Sequence, residues 1–169
     1  MSEQYTTLYN SPLDVLELLS SSTHLLSINF ITTLYPQNIQ SDIPSVLIQT
    51  KKWLDAYFSQ KPVSAKDIPL SPEGTLFQKQ VWEALKEIPY GTTMSYKNLA
   101  QIIAKQRGVS KISAQAIGQA VSKNPIPIII PCHRIIGSKG QLTGYAYGLN
   151  NKIKLLNLEQ ITYLNKTIS

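Results

Sequence analysis

The stretch SYKNLAQIIAKQRGVSKISAQAIGQAVSK, residues 95–123, decides how this chain is read. Ser95 stands where a helix N-cap belongs, with SYKNLAQIIAKQ running on from it as a helix. The short turn RGVSKI follows, and SAQAIGQAVSK then reads as a second helix over 113–122. Two short helices about a tight glycine-bearing turn predict a helix-turn-helix. The second helix has almost no side-chain bulk: Ala114, Ala116, Gly118 and Ala120 are small, and Gln115 and Gln119 are its only long side chains. A helix that reads base edges in the major groove normally carries Arg, Asn or Gln. Small residues instead let the helix backbone come close to something, either a groove wall with its phosphates or another helix inside the protein. These residues alone leave both open.

Working outward, TLFQKQVWEALKEI places Phe77, Val81, Leu85 and Ile88 on one helical face, with Thr75 as cap and Pro89 and Gly91 ending it. Before it, KPVSAKDIPLSPEG carries three prolines and a glycine and reads as an interdomain linker at about 60–73. Earlier still, Val46, Leu47, Thr50, Trp53, Leu54, Tyr57 and Phe58 fall at amphipathic helical spacing. YTTLY, DVLELL and LLSINFI read as short strands parted by turn residues. The expectation is an α+β chain in two domains: residues 1–73 as an α/β sheet domain, and 74–169 as a mainly helical one.

Charge follows the same division. Residues 1–75 hold four Lys/Arg and seven Asp/Glu, net −3, whereas 76–169 hold twelve and three, net +9. A basic half of that kind is the footprint of a nucleic-acid binder, against the plainer reading of a solvated basic surface. The lysines are dispersed rather than gathered on one amphipathic face, which argues against membrane-surface binding. With 43% hydrophobic and 15% charged residues, the 169-residue chain has ordinary globular composition. No apolar run approaches the roughly 20 residues of a membrane span. The start, MSEQYTTLYNSPLD, lacks a basic region followed by an apolar core, so a cytoplasmic protein is expected.

One cysteine excludes an intrachain disulfide and a cysteine-rich zinc site. It lies in NPIPIIIPCHRIIG, residues 124–137, after a PIPIII run that reads as a buried strand. Cys132 is either a small apolar filler or a nucleophile. A thiol with a pKa of about 8.5 needs a base, a cation or a helix N-terminus to ionise near neutrality. His133 and Arg134 follow directly, but neighbours on an extended chain face opposite ways, so His133 would act on Cys132 through a water. A carboxylate on the other imidazole nitrogen would fix its tautomer, and the basic half offers Glu83, Glu87 and Glu159. The following GSKGQLTGYAYG, with Tyr145 and Tyr147, is either a plain surface loop or one that closes over a flat apolar ligand such as a nucleobase.

Several of these motifs in register over residues 74–160 resemble one family. IPCHRIIG with NPIPII before it and GQLTGYAYGL and KIKLLNLE after it is similar to the active-site region of the methylated-DNA–protein-cysteine methyltransferases. FQKQVWEALKEIPYGTTMSYKNLA resembles the opening of that family's C-terminal domain. The resemblance implies a ribonuclease-H-like sheet domain at the N-terminus and repair of alkylated guanine, with thymine as a further lesion. It implies Cys132 as alkyl acceptor, His133 as base through water, Glu159 orienting His133, and Asn124 bracing the turn after the recognition helix. Tyr96 would hydrogen-bond the guanine, and Tyr145, Ala146 and the backbone at Ile135 would line the base pocket.

The helix with Ala114, Gln115, Ala116, Gly118 and Ala120 would enter the minor groove of double-stranded DNA as the base flips out. Lys123 and Lys139 would meet phosphates, and Arg134 would be among the DNA-binding residues. No metal or organic cofactor is needed, and a monomer is expected. Two positions depart from the pattern: Gln115 stands where the family carries a wedging arginine, and Tyr147 where glycine is usual. The first predicts weaker base extrusion, and the second a narrower pocket or altered loop closure. Two other functions fit parts of the sequence. A lesion-recognition protein would bind without transfer, and a cysteine hydrolase would turn over and leave the helix-turn-helix without a role.

Overall fold

The computed structural model describes residues 3–32, 40–61 and 63–164. The protein has a mixed α+β architecture in two compact units, 1–73 with Pro125–Pro127, and 74–124 with 128–169. In the first unit β1 (Tyr5–Asn10), β2 (Val15–Ser20) and β3 (Leu25–Ile31) form an antiparallel sheet in the order β1-β2-β3. Leu16 and Leu18 alternate inward along β2 and are fully buried, as the period-2 pattern demands. Helix α1 (Ser45–Phe58) turns Val46, Leu47, Thr50, Leu54 and Tyr57 inward and packs on β2 and β3. Ile28 donates its backbone N–H to Pro125 O at 2.9 Å, within the same unit. Pro62 of the expected linker lies outside the described residues.

The second unit is helical, with a two-residue parallel pair. Helix α2 (Leu76–Lys86) starts on a complete capping box: the Thr75 hydroxyl accepts from Gln78 N, and the Gln78 side chain accepts from Thr75 N. Helix α3 (Tyr96–Arg107) starts on Ser95 and ends on Gly108, whose φ of 68° suits a residue without a Cβ. Helix α4 (Ala114–Ser122) starts on Ser113 and packs against α3 and α2. The N-cap hydroxyls at Ser95 and Ser113 accept from Asn98 N and Ala116 N; Ser95 is the cap the sequence placed, and Ser113, read as the first residue of its helix, is that helix's cap. Gly74 is obligatory for packing: a Cβ there would fall 2.4 Å from the Trp82 ring. Trp82 is itself 1% exposed and donates Nε1–H to Ala120 O at 2.8 Å. Strand β4 (Met94–Ser95) pairs in parallel with β5 (Ile135–Ile136), which sets the start of α3 beside the segment that follows the cysteine. Helix α5 (Leu149–Leu158) closes the unit. Among the described residues no helix is long and apolar enough to cross a membrane.

The expected PIPIII strand does not form. Residues 125–131 are a buried chain of turns. Pro125, Pro127 and Pro131 lack the N–H that a ladder requires, and Ile128 sits at φ 74°, in the left-handed region that strands exclude. Pro131, at φ −81° and ψ 64°, makes an inverse γ-turn closed by Cys132 N to Ile130 O at 2.8 Å. Cys132–Arg134 is then one 3₁₀ turn, not an extended strand, so alternation of faces does not govern how Cys132 and His133 are placed.

Candidate active site

Cys132 is 3% exposed and lies on the wall of a cavity of about 200 Å³. The cavity is lined by Tyr96 of α3, by Gly118, Val121 and Ser122 of α4, and by Gly144, Tyr145 and Ala146 of the loop before α5. The small-residue helix and the sole thiol therefore share one chamber. Gly118 faces the Tyr96 ring, which an added Cβ would meet at 3.8 Å, an ordinary van der Waals contact. The Tyr145 hydroxyl lies 3.8 Å from Cys132 Sγ. Burial pushes the thiol pKa up, while hydrogen bonds from Asn124 and Tyr145 and the charge of Lys152 pull it down. Burial prevails, so the resting sulfur is a thiol. Asn124 also donates Nδ2–H to Ile130 O at 2.8 Å, which fixes the turn between α4 and the cysteine.

Behind the cysteine is a buried trio. Glu159, at the C-cap of α5, accepts at Oε2 from His133 Nε2 (2.5 Å) and Arg134 Nη2 (3.1 Å). Its Oε1 accepts from Arg134 Nε (2.8 Å) and Gly91 N (3.0 Å). Burial would raise the Glu159 carboxyl, but His133 and Arg134 outweigh it and hold its pKa at about 2. The permanent Arg134 cation neutralises that carboxylate, so His133 need not be charged to compensate it. Burial keeps His133 below its ordinary pKa despite the pull of Glu159. With Nε2–H committed to Glu159, Nδ1 is the basic nitrogen, and it is buried with no hydrogen-bond partner among the described residues. The site thus holds a neutral base whose conjugate acid would rest on a carboxylate.

Three sequence expectations are corrected. Arg134, expected among the DNA-binding residues, is turned inward: it is 8% exposed, paired to Glu159, donates to Ile88 O at 2.7 Å and lies over the Tyr90 ring at 5.7 Å. Ala120 is 3% exposed and packs inside, because Ile117, Ala120 and Val121 form the inward face of α4. Ile135 is fully buried and not among the cavity-lining residues; its carbonyl accepts from Lys152. By contrast Ala114, Gln115, Lys123 and Lys139 are exposed, and Ala116 and Gly118 half-buried.

Sequence reasoning missed Lys152. Its ammonium, on a fully buried side chain of α5, donates to Ile135 O (2.6 Å), Thr143 Oγ1 (3.1 Å) and Gly144 O (3.5 Å), and Thr143 Oγ1 in turn meets the Tyr96 hydroxyl at 3.0 Å. Burial lowers its pKa to about 8, against the raising effect of Cys132. The available signal was spacing: residues 152, 155, 156 and 159 share one helical face, and that face is buried.

Two family models match the chain: the 6-O-methylguanine DNA methyltransferase ribonuclease-like domain over residues 4–72, and the DNA binding domain of the same description over 76–161. The chain belongs to the 6-O-methylguanine DNA methyltransferase family. A methylated-DNA–protein-cysteine methyltransferase of Haemophilus influenzae is 40% identical over 170 residues, spanning 98% of this chain and 92% of that protein. One from Methanosarcina barkeri is 52% identical over 126 residues, spanning 70% and 76%. The O6-methylguanine methyltransferase structure from Mycobacterium tuberculosis matches at TM-score 0.76 and 36% identity, over 94% of this chain and 93% of that one. A structure of the same organism's OGT in complex with DNA matches at TM-score 0.74 and 36% identity, over 93% and 92%.

Proposed function

We propose that this methyltransferase repairs DNA by moving the methyl group of O6-methylguanine irreversibly onto its own Cys132. The observation that carries the reading is the shared cavity: a buried thiol and the small-residue helix α4 line one chamber. In the reaction the S–C bond forms as the C–O bond breaks, and the electron pair stays on the guanine oxygen. The thiol proton passes to His133 Nδ1 through a water, Glu159 stabilising the imidazolium. The Tyr96 hydroxyl, aimed from the cavity wall, hydrogen-bonds the guanine ring and helps it take up a proton. Lys152 holds Thr143, and through it Tyr96, in place. The thioether cannot be reversed by these groups, so each molecule acts once.

DNA is the partner. The minor groove receives α4, whose Ala114, Ala116 and Gly118 let its backbone approach, while Lys123 and Lys139 meet phosphates. The alkylated base flips into the cavity. The protein acts as a monomer in the cytoplasm, its DNA-binding and transfer domain being residues 74–169. Mass spectrometry after incubation with O6-methylguanine duplex tests the reading. One CH₂ gained per molecule, on the Cys132 peptide, is the expected result. Unmodified protein bound to lesion DNA would replace transfer with lesion recognition, and repeated turnover would mean hydrolysis.

Two variants probe the parts. Gln115, exposed in the first turn of α4, lacks the charge and reach of the family's wedging arginine. Gln115→Arg is expected to speed single-turnover transfer from duplex DNA roughly 3- to 10-fold by easing extrusion, with little change on single strands. An unchanged duplex rate would refute that account. Lys152→Met removes three hydrogen bonds and is expected to slow transfer roughly 100-fold. In the wild type the rate should fall as pH rises past about 8, where Lys152 loses its proton. That alkaline limb should be missing from the profile of the Lys152→Met protein, measured as single-turnover transfer against pH.

A further inference from the structure

We infer that Tyr147 is a positioning residue: its hydroxyl ties the loop carrying Tyr145 to the turn after α4 and so holds the Tyr145 hydroxyl against the Cys132 sulfur. Tyr147 OH donates to Asn124 O. Asn124 lies just past the end of α4, its own N–H on Val121 O at 3.3 Å. The Tyr147 carbonyl accepts from Asn151 Nδ2 at 3.0 Å, so the residue is fastened to α5 as well as to the α4 turn. Its ring meets the Tyr145 ring edge to face, with centroids 5.5 Å apart and planes at 63°. Tyr145 OH is 3.8 Å from Cys132 Sγ, and Tyr145 lines the cavity whereas Tyr147 does not. Tyr147 feels the charge of Cys132 from behind the cavity wall, and its contact with the sulfur's surroundings runs through its neighbour Tyr145.

A phenol held beside the sulfur donates to the thiolate and favours ionisation. A tie from that phenol's support to the end of α4 couples the thiol's surroundings to the helix proposed to engage DNA. The other groups around Cys132 are Asn124, Lys152 of α5, Tyr96 of α3, and His133 with Glu159 and Arg134 behind it. Among them the Tyr147 hydroxyl meets the backbone carbonyl of Asn124, while the Asn124 side chain is held separately by its bond to Ile130 O. Removing that hydroxyl therefore leaves the Asn124 side chain its bond to Ile130 O.

The test is the rate of Cys132 alkylation by iodoacetamide against pH, in the whole protein without DNA. With one cysteine in the chain the readout has a single source. Tyr147→Phe keeps the ring and loses the tie, and is expected to shift the profile toward higher pH and slow the reaction at pH 7 roughly 3-fold. Tyr145→Phe should shift it the same way. In the Tyr145→Phe background, Tyr147→Phe should shift the profile by less than it does alone, since coupled residues are not additive. A wild-type profile for Tyr147→Phe, or additive shifts in the double variant, would overturn the inference. A second measurement needs no variant: in ¹³C-tyrosine spectra of the wild type, Tyr147 should stay protonated after solvent-facing tyrosines have titrated, and titration alongside them would remove the tie. The inference draws on the alkyl-transfer reading only for its meaning in repair. If the wild type takes no methyl group from DNA, that reading fails while the iodoacetamide comparison still decides the role of Tyr147.

Discussion

Cys132→Ala protein is expected to leave every methyl group on O6-methylguanine DNA while still binding the duplex. The loss should be complete because no second thiol exists in the chain, and a hydroxyl such as that of Tyr145, 3.8 Å from the sulfur, is a far weaker nucleophile than a thiolate. Binding should persist because most of the groups proposed for it are surface groups away from the cavity: Ala114, Gln115 and Lys123 on and after α4, and Lys139 on its loop, are all exposed and none lines the cavity. Deleting one buried sulfur costs about 1 kcal/mol of stability, so the variant stays folded. Quantifying residual O6-methylguanine after incubation, beside a gel-shift titration, separates the two effects. Methyl loss from the DNA with the alanine protein would remove Cys132 from the chemistry.

What was legible in the sequence was local. Thr75, Ser95 and Ser113 announce helix starts because an N-cap needs only its own next three residues, and all three accept the hydrogen bonds that their positions promise. The strands of the first unit were legible from β-rich runs between turn residues, as YTTLY and DVLELL became β1 and β2. Illegible features depend on distant partners. PIPIII has the apolar content of a strand, yet its prolines and the left-handed Ile128 turn it back on itself. Arg134 reads as one more cation of a basic half until Glu159, 25 residues on, is seen to hold it at 2.8 Å. Lys152 reads as solvated until α5 is docked with that face inward. On α4, bulk alone could not separate Ala120, which packs inside, from Ala114, which is exposed; the two small residues differ in which helical face they occupy. Cys132 and His133 were singled out by residue type, but their setting was not.

Glu159→Gln should cost both stability and activity, and the pH dependence tells the two apart. The carboxylate accepts four hydrogen bonds and balances a buried guanidinium. A neutral amide cannot accept at both ends, and it leaves Arg134 buried without a counter-charge. Breaking one side of a buried pair in this way costs roughly 3–5 kcal/mol, read as a lower urea midpoint at pH 7. The sign follows from the ionisation. Glu159 has its pKa depressed from 4.5 to about 2, so the stability it contributes is whole above pH 4.5 and disappears as pH falls through about 2. The gap between wild type and variant should therefore be constant from neutral pH to about 4.5 on this account, and close toward pH 2. His133, whose pKa burial lowers from 6.5 against the pull of Glu159, loses that pull in the variant and drops further, so it adds to the gap below pH 6.5 before the Glu159 contribution closes it toward pH 2. Transfer should slow roughly 100- to 1,000-fold, because the imidazolium formed on taking the thiol proton loses its anion. If the variant stays as stable as the wild type and transfers at its rate, the trio is a packing feature and the proton must leave Cys132 by a route that avoids His133.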